Sequence, residues 1–207
     1  MNPTLTALVL HDLKNALGSL EEQLSRLSVL PNTEDASAAH HQCQELRLRF
    51  VQWLTVEAGE LNDGQGLPVW CEDESPEELL QAAAERAKAM RPDLPAPRVH
   101  HDAGPMPACW YFDRRLVSMA LDAAIHNAQR FARKQVWLRS WTDAGALHLA
   151  VDDDGPGLQE SNGQSTGLGL TLCASVAKAH RRGQRTGTAT AQTRPDGGGT
   201  RFELTLP

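Results

Sequence analysis

From Thr4 to Leu30 apolar side chains recur at helical spacing, through Leu5, Leu8, Val9, Leu13, Ala16, Leu17, Leu20, Leu24, Leu27 and Leu30. No proline interrupts the run, and Pro31-Asn32 stops it. A second helical pattern covers Glu34 to Leu61, with Ala39, Cys43, Leu46, Phe50, Trp53, Leu54 and Leu61 on its apolar side. The join is short, so the two helices must fold back as an antiparallel hairpin, each helix roughly 40 Å long at about 1.5 Å per residue. One hairpin cannot bury both stripes. Residues 4 to 61 are therefore expected to form a homodimer, closing a four-helix bundle.

The polar set His11, Asp12, Lys14 and Asn15 interrupts the first stripe. A packing surface does not need those residues, and the remainder of the chain has to explain them.

"LNDGQGLP" (Leu61 to Pro68) is rich in breakers and marks the expected boundary between a hairpin over 1–62 and a second unit over 68–207. "SPEELLQAAAERAKAM" has a serine cap, a proline in the first turn and early glutamates, which predicts a helix. "RPDLPAPRVHHDAGPMPA" reads as loop with at most one short strand, and "DRRLVSMALDAAIHNAQRFA" as helix. "QVWLRSWTDAGALHLAVDDDG" predicts two strands around an Asp143-Ala144-Gly145 turn. A glycine-opened helix, "TGLGLTLCASVAKAHR", and a closing hairpin, "GTATAQTRPDGGGTRFELTLP", complete an α+β unit with helices on one face of a mixed sheet.

Bulk properties exclude several classes. A net charge of −6 over 207 residues argues against non-specific nucleic-acid binding and leaves room only for a local basic patch. The four cysteines are far apart with no CxxC, so reduced thiols in a cytoplasmic setting are expected. The pairs His40-His41 and His100-His101 have no cysteine partner at ligand spacing and do not make a zinc site. No apolar run approaches the roughly 20 residues of a membrane span, and no leader pattern is present, so no membrane contact is expected.

Three segments of the second unit carry chemistry. "VDDDGPGL" (Val151 to Leu158) ends a strand, and three aspartates can leave a strand only toward solvent or a ligand. Its glycines, Gly155 and Gly157, let backbone approach something flat, although the segment taken alone reads first as an acidic turn. In "STGLGLTLCASVAKAH", Gly167 and Gly169 open a helix whose first N–H groups can meet an anion. No Gly-Lys-Ser follows, so it is not a Walker loop. In "AIHNAQRFA", Asn127 and Arg130 share a helical face. An amide oxygen suits Mg²⁺ and an arginine suits phosphate, while a solvated face is the plainer reading of that segment alone.

Taken together and in this order, the segments resemble the sensor histidine kinases of two-component signalling. "HDLKN" resembles the phosphoacceptor box, "HNAQRF" the N box, "DDGPG" the DxGxG box and "STGLGL" the second glycine box. The resemblance runs through the closing "GGGTRFELTLP" and spans nearly the whole chain. It implies a dimerisation and histidine-phosphotransfer hairpin followed by an ATP-binding α/β sandwich of the gyrase, Hsp90 and histidine kinase type. It also implies ATP and Mg²⁺ as cofactors and the receiver domain of a response regulator as partner.

Carried over by residue, the resemblance makes His11 the phosphorylated group, Asp12 the carboxylate that holds its proton, and Asn15 the amide that orients a water. Asn127 would hold Mg²⁺ and Arg130 the phosphate tail. Asp153 would accept from the adenine amino group, and Gly155 and Gly157 would admit base and ribose. Thr166, Gly167, Leu168, Gly169 and Leu170 would present the phosphate-binding loop. The sequence departs from the family at Ala16, where proline is frequent, at Ala123, where a second asparagine is common, and at Ser165, a usual glycine. Only Gln159 to Ser165 separate the two glycine boxes, which implies a very short lid. No sensing segment precedes His11 within the chain, so a fragment of a longer sensor, or a separate sensing partner, is expected.

The leading expectation is ATP-dependent autophosphorylation of His11 and transfer to a regulator aspartate. The alternative is a phosphorelay histidine phosphotransferase with a degenerate ATP-binding domain, which the short lid would suit. A nucleotide-switched binding module would leave His11, Asp12 and Asn15 unexplained.

Overall fold

A computed structural model describes residues 3–61, 66–91, 94–101, 107–158, 167–194 and 198–207. Helix α1 (Pro3–Val29) and helix α2 (Thr33–Leu61) match the two stripes to within a residue or so at each end. Asn32 accepts from the Glu34 N–H at 2.9 Å and starts α2. Two cross-links set the antiparallel register: Thr6 Oγ1 donates to Glu57 Oε1 at 3.3 Å and Gln42 Nε2 donates to the Ala16 carbonyl at 2.8 Å. Residues 62–65, half of the expected boundary at 61–68, lie outside the described residues.

The second unit begins with β1 (Glu72–Glu74) and α3 (Pro76–Met90), whose predicted cap is present: Ser75 Oγ accepts from the Glu78 N–H at 3.3 Å. Strand β2 (Pro97–His101), strand β3 (Trp110–Phe112) and helix α4 (Arg114–Phe131) follow. Asp113 caps α4, accepting from the Arg115 and Leu116 N–H groups at 3.0 and 3.2 Å. Strands β4 (Val136–Asp143) and β5 (Ala146–Asp153) form the predicted hairpin. Ala144 (φ 47°) and Gly145 (φ 73°) are both left-handed at its turn, the pair of conformations that matches strand twist in a two-residue loop. Helix α5 (Leu168–Ala179), a small ribbon of β6 (Arg181–Arg182) with β7 (Arg185–Thr186), and the hairpin of β8 (Thr188–Thr193) with β9 (Thr200–Leu206) close the chain.

Five strands form one sheet in the order β2-β4-β5-β9-β8, with β2 parallel to β4 and the other pairs antiparallel. Helices α3, α4 and α5 cover one face. Leu138, Leu149 and Leu204 from the strands meet Leu121, Ile125 and Leu172 from the helices, all fully or almost fully buried. Val9 and Val56 of the hairpin join the same apolar cluster, so the hairpin packs against the sheet unit. Sequence reading assigned no strand to Glu72–Glu74 or Trp110–Phe112, yet these pair as an antiparallel ribbon. Among the described residues no helix is long and apolar enough to cross a membrane.

Candidate functional site

A cavity of about 200 Å³ opens between α4, α5 and the sheet. Asn127 and Phe131 line it from α4, Gly169, Leu170 and Cys173 from α5, and Asp153 and Phe202 from the strands. A larger hollow of about 370 Å³ lies between α2, α3 and α4; of the motif segments it takes only His126 and Gln129 of "HNAQRF", and neither Asn127 nor Arg130 lines it.

Asp153 is the charged group at this cavity, with 4% of its surface exposed. Its Oδ1 accepts from the Gly155 N–H at 2.8 Å and the Thr200 N–H at 3.2 Å. Burial raises its pKa, and those N–H donors and the Thr200 hydroxyl work against the rise. Oδ1 is thus committed to the backbone, and the residue lines the cavity.

The three consecutive aspartates have three separate partners. Strand alternation turns Asp152 to the sheet face opposite the helices. There Arg201 grips it in a bidentate pair at 2.8 and 2.7 Å, and Arg139 lies 3.0 Å away. Asp154 lies past the strand and accepts from the Arg133, Lys134 and Gln135 N–H groups at 2.8 to 3.1 Å. Those donors outweigh burial and lower its pKa. The expectation that solvent or ligand receives all three is therefore corrected: only Asp153 faces the cavity. The other two carboxylates are satisfied by protein donors, because cross-strand arginines and the turn after α4 reach them first.

The glycines divide likewise. Gly157 (φ 87°), Gly167 (φ 68°) and Gly169 line the cavity. A side chain at Gly169 would press to 3.2 Å from Asn127 Nδ2 and narrow the entrance between α4 and α5. Gly155 is not on the lining. A Cβ there would lie 2.6 Å from the Phe131 carbonyl, so this glycine permits close approach of the turn to α4. The close approach of this turn to α4 is the reason the position needs a glycine.

Asn127 and Arg130 are both exposed, and only Asn127 lines the cavity. The Arg130 guanidinium sits 5.5 Å from the Phe131 ring. Leu168 turns into the core with 3% exposure, whereas Leu170 faces the cavity. Thr166 and the short lid lie outside the described residues. Sequence reasoning missed Phe131, Cys173, Thr200 and Phe202. Thr200 was within reach, because "GGGT" marks a strand start beside the acidic turn; the apolar residues look like any core. Burial pushes the Cys173 thiol up to about 12, so it lines the cavity as a neutral group.

On the hairpin, His11 and Asn15 are exposed, one turn apart. Asn15 Nδ2 lies 3.2 Å from His11 Nδ1 and 3.4 Å from Nε2, so the amide rests against the imidazole rather than bonding one ring nitrogen. Asp12 Oδ1 lies 3.6 Å from His11 Nδ1, an ion-pair separation. The structure thus brings His11, Asp12 and Asn15 together on one patch of α1, and Asn127, Asp153, Gly157, Gly167, Gly169 and Leu170 together in the cavity.

Comparison with known proteins bears on the fold. Residues 112–207 match the family model for histidine kinase-, DNA gyrase B- and HSP90-like ATPases. The histidine kinase AdeS of Acinetobacter baumannii is similar over 95% of this chain and 96% of that one, at 19% identity and a TM-score of 0.71. Histidine kinase ThkA, in a complex with response regulator protein TrrA, is similar over 99% of this chain and 61% of that one, at 16% identity and a TM-score of 0.66. Full-length ShkA in complex with AMPPNP is similar over 99% and 45%, at 17% identity and a TM-score of 0.61. No curated protein sequence matches the chain. Residues 112–207 are thus similar to the histidine kinase, gyrase B and HSP90-like ATPases. Together with the helical hairpin, the chain shares the fold of the histidine kinases AdeS and ThkA.

Proposed function

We propose that the chain is a protein-histidine kinase core that phosphorylates His11 from ATP and passes the group to an aspartate on the receiver domain of a response regulator. The observation that carries this reading is an exposed His11, flanked by Asp12 and Asn15, in the same chain as a cavity built around a buried carboxylate. Asp12 lies 3.6 Å from Nδ1, and a proton held on that side would make Nε2 the nucleophile. In the transfer, a bond forms from Nε2 to the γ-phosphorus, the bridging oxygen to the β-phosphorus leaves with ADP, and Asp12 helps take the ring proton. Positioning and charge neutralisation are the main demands of such a step.

Asp153 Oδ2 fits the adenine amino group as acceptor. Gly167, Gly169 and Leu170 at the start of α5 fit the phosphates. Asn127, exposed at the cavity, supplies one oxygen for Mg²⁺, a cation that keeps most of its shell as water and phosphate oxygen. The setting proposed is the cytoplasm, which supplies ATP and keeps the exposed thiols of Cys43 and Cys109 reduced.

A homodimer belongs to this reading. Leu10, Leu17 and Leu24 stand seven apart on α1, about half exposed, and Phe50 and Leu54 are similarly exposed on α2. A second hairpin covers such a stripe in a four-helix bundle. The regulator partner is proposed by likeness to ThkA, whose structure includes one.

The test is incubation with γ-labelled ATP and Mg²⁺. Acid-labile, base-stable label that disappears in His11→Gln supports the reading, and failure of the parent chain to label refutes it.

A further inference from the structure

The pairing of β5 with β9 runs from Leu147 with Leu206 to Asp152 with Arg201, one residue short of Asp153. On its other side Asp153 still pairs with Val136 of β4. The end of β5 that carries the cavity carboxylate is therefore laddered on one side only. Other groups hold the open side. The Thr200 N–H turns to Asp153 Oδ1 at 3.2 Å, and Arg194 Nη1 donates to the Asp153 carbonyl oxygen at 3.2 Å. A guanidinium donor to a carbonyl is charge-assisted and stronger than an amide donor.

Arg194 is itself fixed. Its backbone N–H donates to the Gly199 carbonyl at 3.1 Å, directly after the last pair of β8 with β9, Thr193 with Thr200. Its guanidinium carbon lies 4.7 Å from the centroid of the Trp137 ring, a cation–π contact. Trp137 stands opposite Asp152 in β4, on the sheet face away from the helices. A planar guanidinium can rest its face on an aromatic ring and still donate in its own plane, which suits arginine to this place. One side chain thus joins the end of β8, the end of β5 and the start of β4 behind the cavity. Arg194 does not line the cavity, so whatever it does for a ligand passes through Asp153.

We propose that Arg194 is a positioning residue for base recognition. By holding the Asp153 carbonyl where the strand ladder ends, it fixes the backbone from which the carboxylate reaches the adenine amino group. A recognition group needs such support behind it, because its direction decides the hydrogen bond it can make. This rests on the reading of Asp153 as the acceptor for that amino group.

The experiment measures the affinity of the full chain for ADP and for purine riboside diphosphate, which lacks the amino group; neither can phosphorylate His11. The parent should prefer ADP by about ten-fold or more, the weight of a hydrogen bond to a charged acceptor. Arg194→Met keeps the stem over Trp137 and removes the donor. It should cut that preference to about three-fold or less through weaker ADP binding, with affinity for the analogue within about two-fold of parent. Arg194→Lys keeps a cationic donor and should retain more of the preference than Arg194→Met. A lysine variant no better than the methionine one would overturn the proposal. So would equal losses for both nucleotides in Arg194→Met, the mark of a purely structural residue. A parent with no preference would sink the adenine reading of Asp153 and the proposal with it, whereas a parent preference left intact in Arg194→Met would sink the proposal alone.

Discussion

The backbone N–H of Asp113 donates to His180 Nε2 at 3.0 Å, and His180 Nδ1–H donates to the Val176 carbonyl at 2.8 Å. Both ring nitrogens are committed, and the ring is held neutral between the start of α4 and the end of α5. Those helices are the two walls of the cavity around Asp153, so this imidazole ties their far ends together.

Burial lowers the His180 pKa below its ordinary 6.5, against the Val176 hydrogen bond and the Asp113 charge that favour protonation. The unfolded chain therefore binds a proton at a pH where the native ring does not. The stabilisation is fully present above pH 6.5 and is lost as pH falls from there through the native value. Thermal melts between pH 8 and pH 5 should fall on the acid side (range chosen around the ordinary histidine value of about 6.5). His180→Gln should melt lower at pH 8 and show a flatter acid decline. An equal decline in both would remove His180 as the source.

Asp153→Asn should weaken ATP binding while keeping the fold. The amide oxygen can still accept from Gly155 and Thr200, and the new amide nitrogen then takes the place of Oδ2. A donor there opposes the adenine amino donor, at about 1–3 kcal/mol. Calorimetric titration with a non-hydrolysable ATP analogue reads this directly. Parent-like affinity would exclude Asp153 from base recognition.

Gly199 and Gly198 make a matched pair. A Cβ on Gly199 (φ 89°) would fall 1.9 Å from the Asp153 carbonyl, whereas nothing lies within 4 Å of one on Gly198. Gly199→Ala should cost about 2 kcal/mol or more in urea unfolding, from positive-φ strain and displacement of Asp153. Gly198→Ala should stay within about 0.5 kcal/mol of parent. Similar values for both would mean that β9 shifts freely at this point.

Asn15 and Asp12 should differ in what they affect. Asn15→Ala leaves the carboxylate beside Nδ1 and should change His11 labelling only by about a few-fold, while slowing dephosphorylation of a partner regulator by about 10-fold or more. Asp12→Asn should cut His11 labelling first. Parallel effects of the two changes on both reactions would refute separate roles.

Leu17→Glu with Leu24→Glu places two charges on the exposed stripe of α1 without touching its seam with α2. Sedimentation should show a dimer for the parent and a monomer of unchanged helix content for the variant. A monomeric parent at high micromolar concentration would remove the dimer from the reading.

The hairpin and the helix caps were legible because their signals are local. A 3.6-residue period shows within one turn or two, and Ser75 announces its cap by itself. The ribbon of Glu72–Glu74 with Trp110–Phe112 was not legible, since three-residue strands carry no period and their partners lie far apart in sequence. The cavity was half legible. Asp153, Asn127 and the glycines sit in short motifs, whereas Phe131, Thr200 and Phe202 come together only after β9 pairs with β5. The ionic grip on Asp152 was hidden for the same reason, because Arg139 and Arg201 reach it from neighbouring strands.

The aspartate run has a consequence for how this domain can vary. Asp152, Asp153 and Asp154 are chemically identical, and only the reading frame of β5 against its neighbours tells them apart. Sliding that strand by a single position would seat one aspartate where its neighbour was, but it would turn Leu147, Leu149 and Val151 away from the helix layer. A one-residue insertion or deletion within β5 would thus ruin nucleotide recognition and folding together, even with the "DDD" text preserved. The apolar alternation is the alignment key: the strand seats where Leu147, Leu149 and Val151 are covered, and only then does each carboxylate meet its own partners.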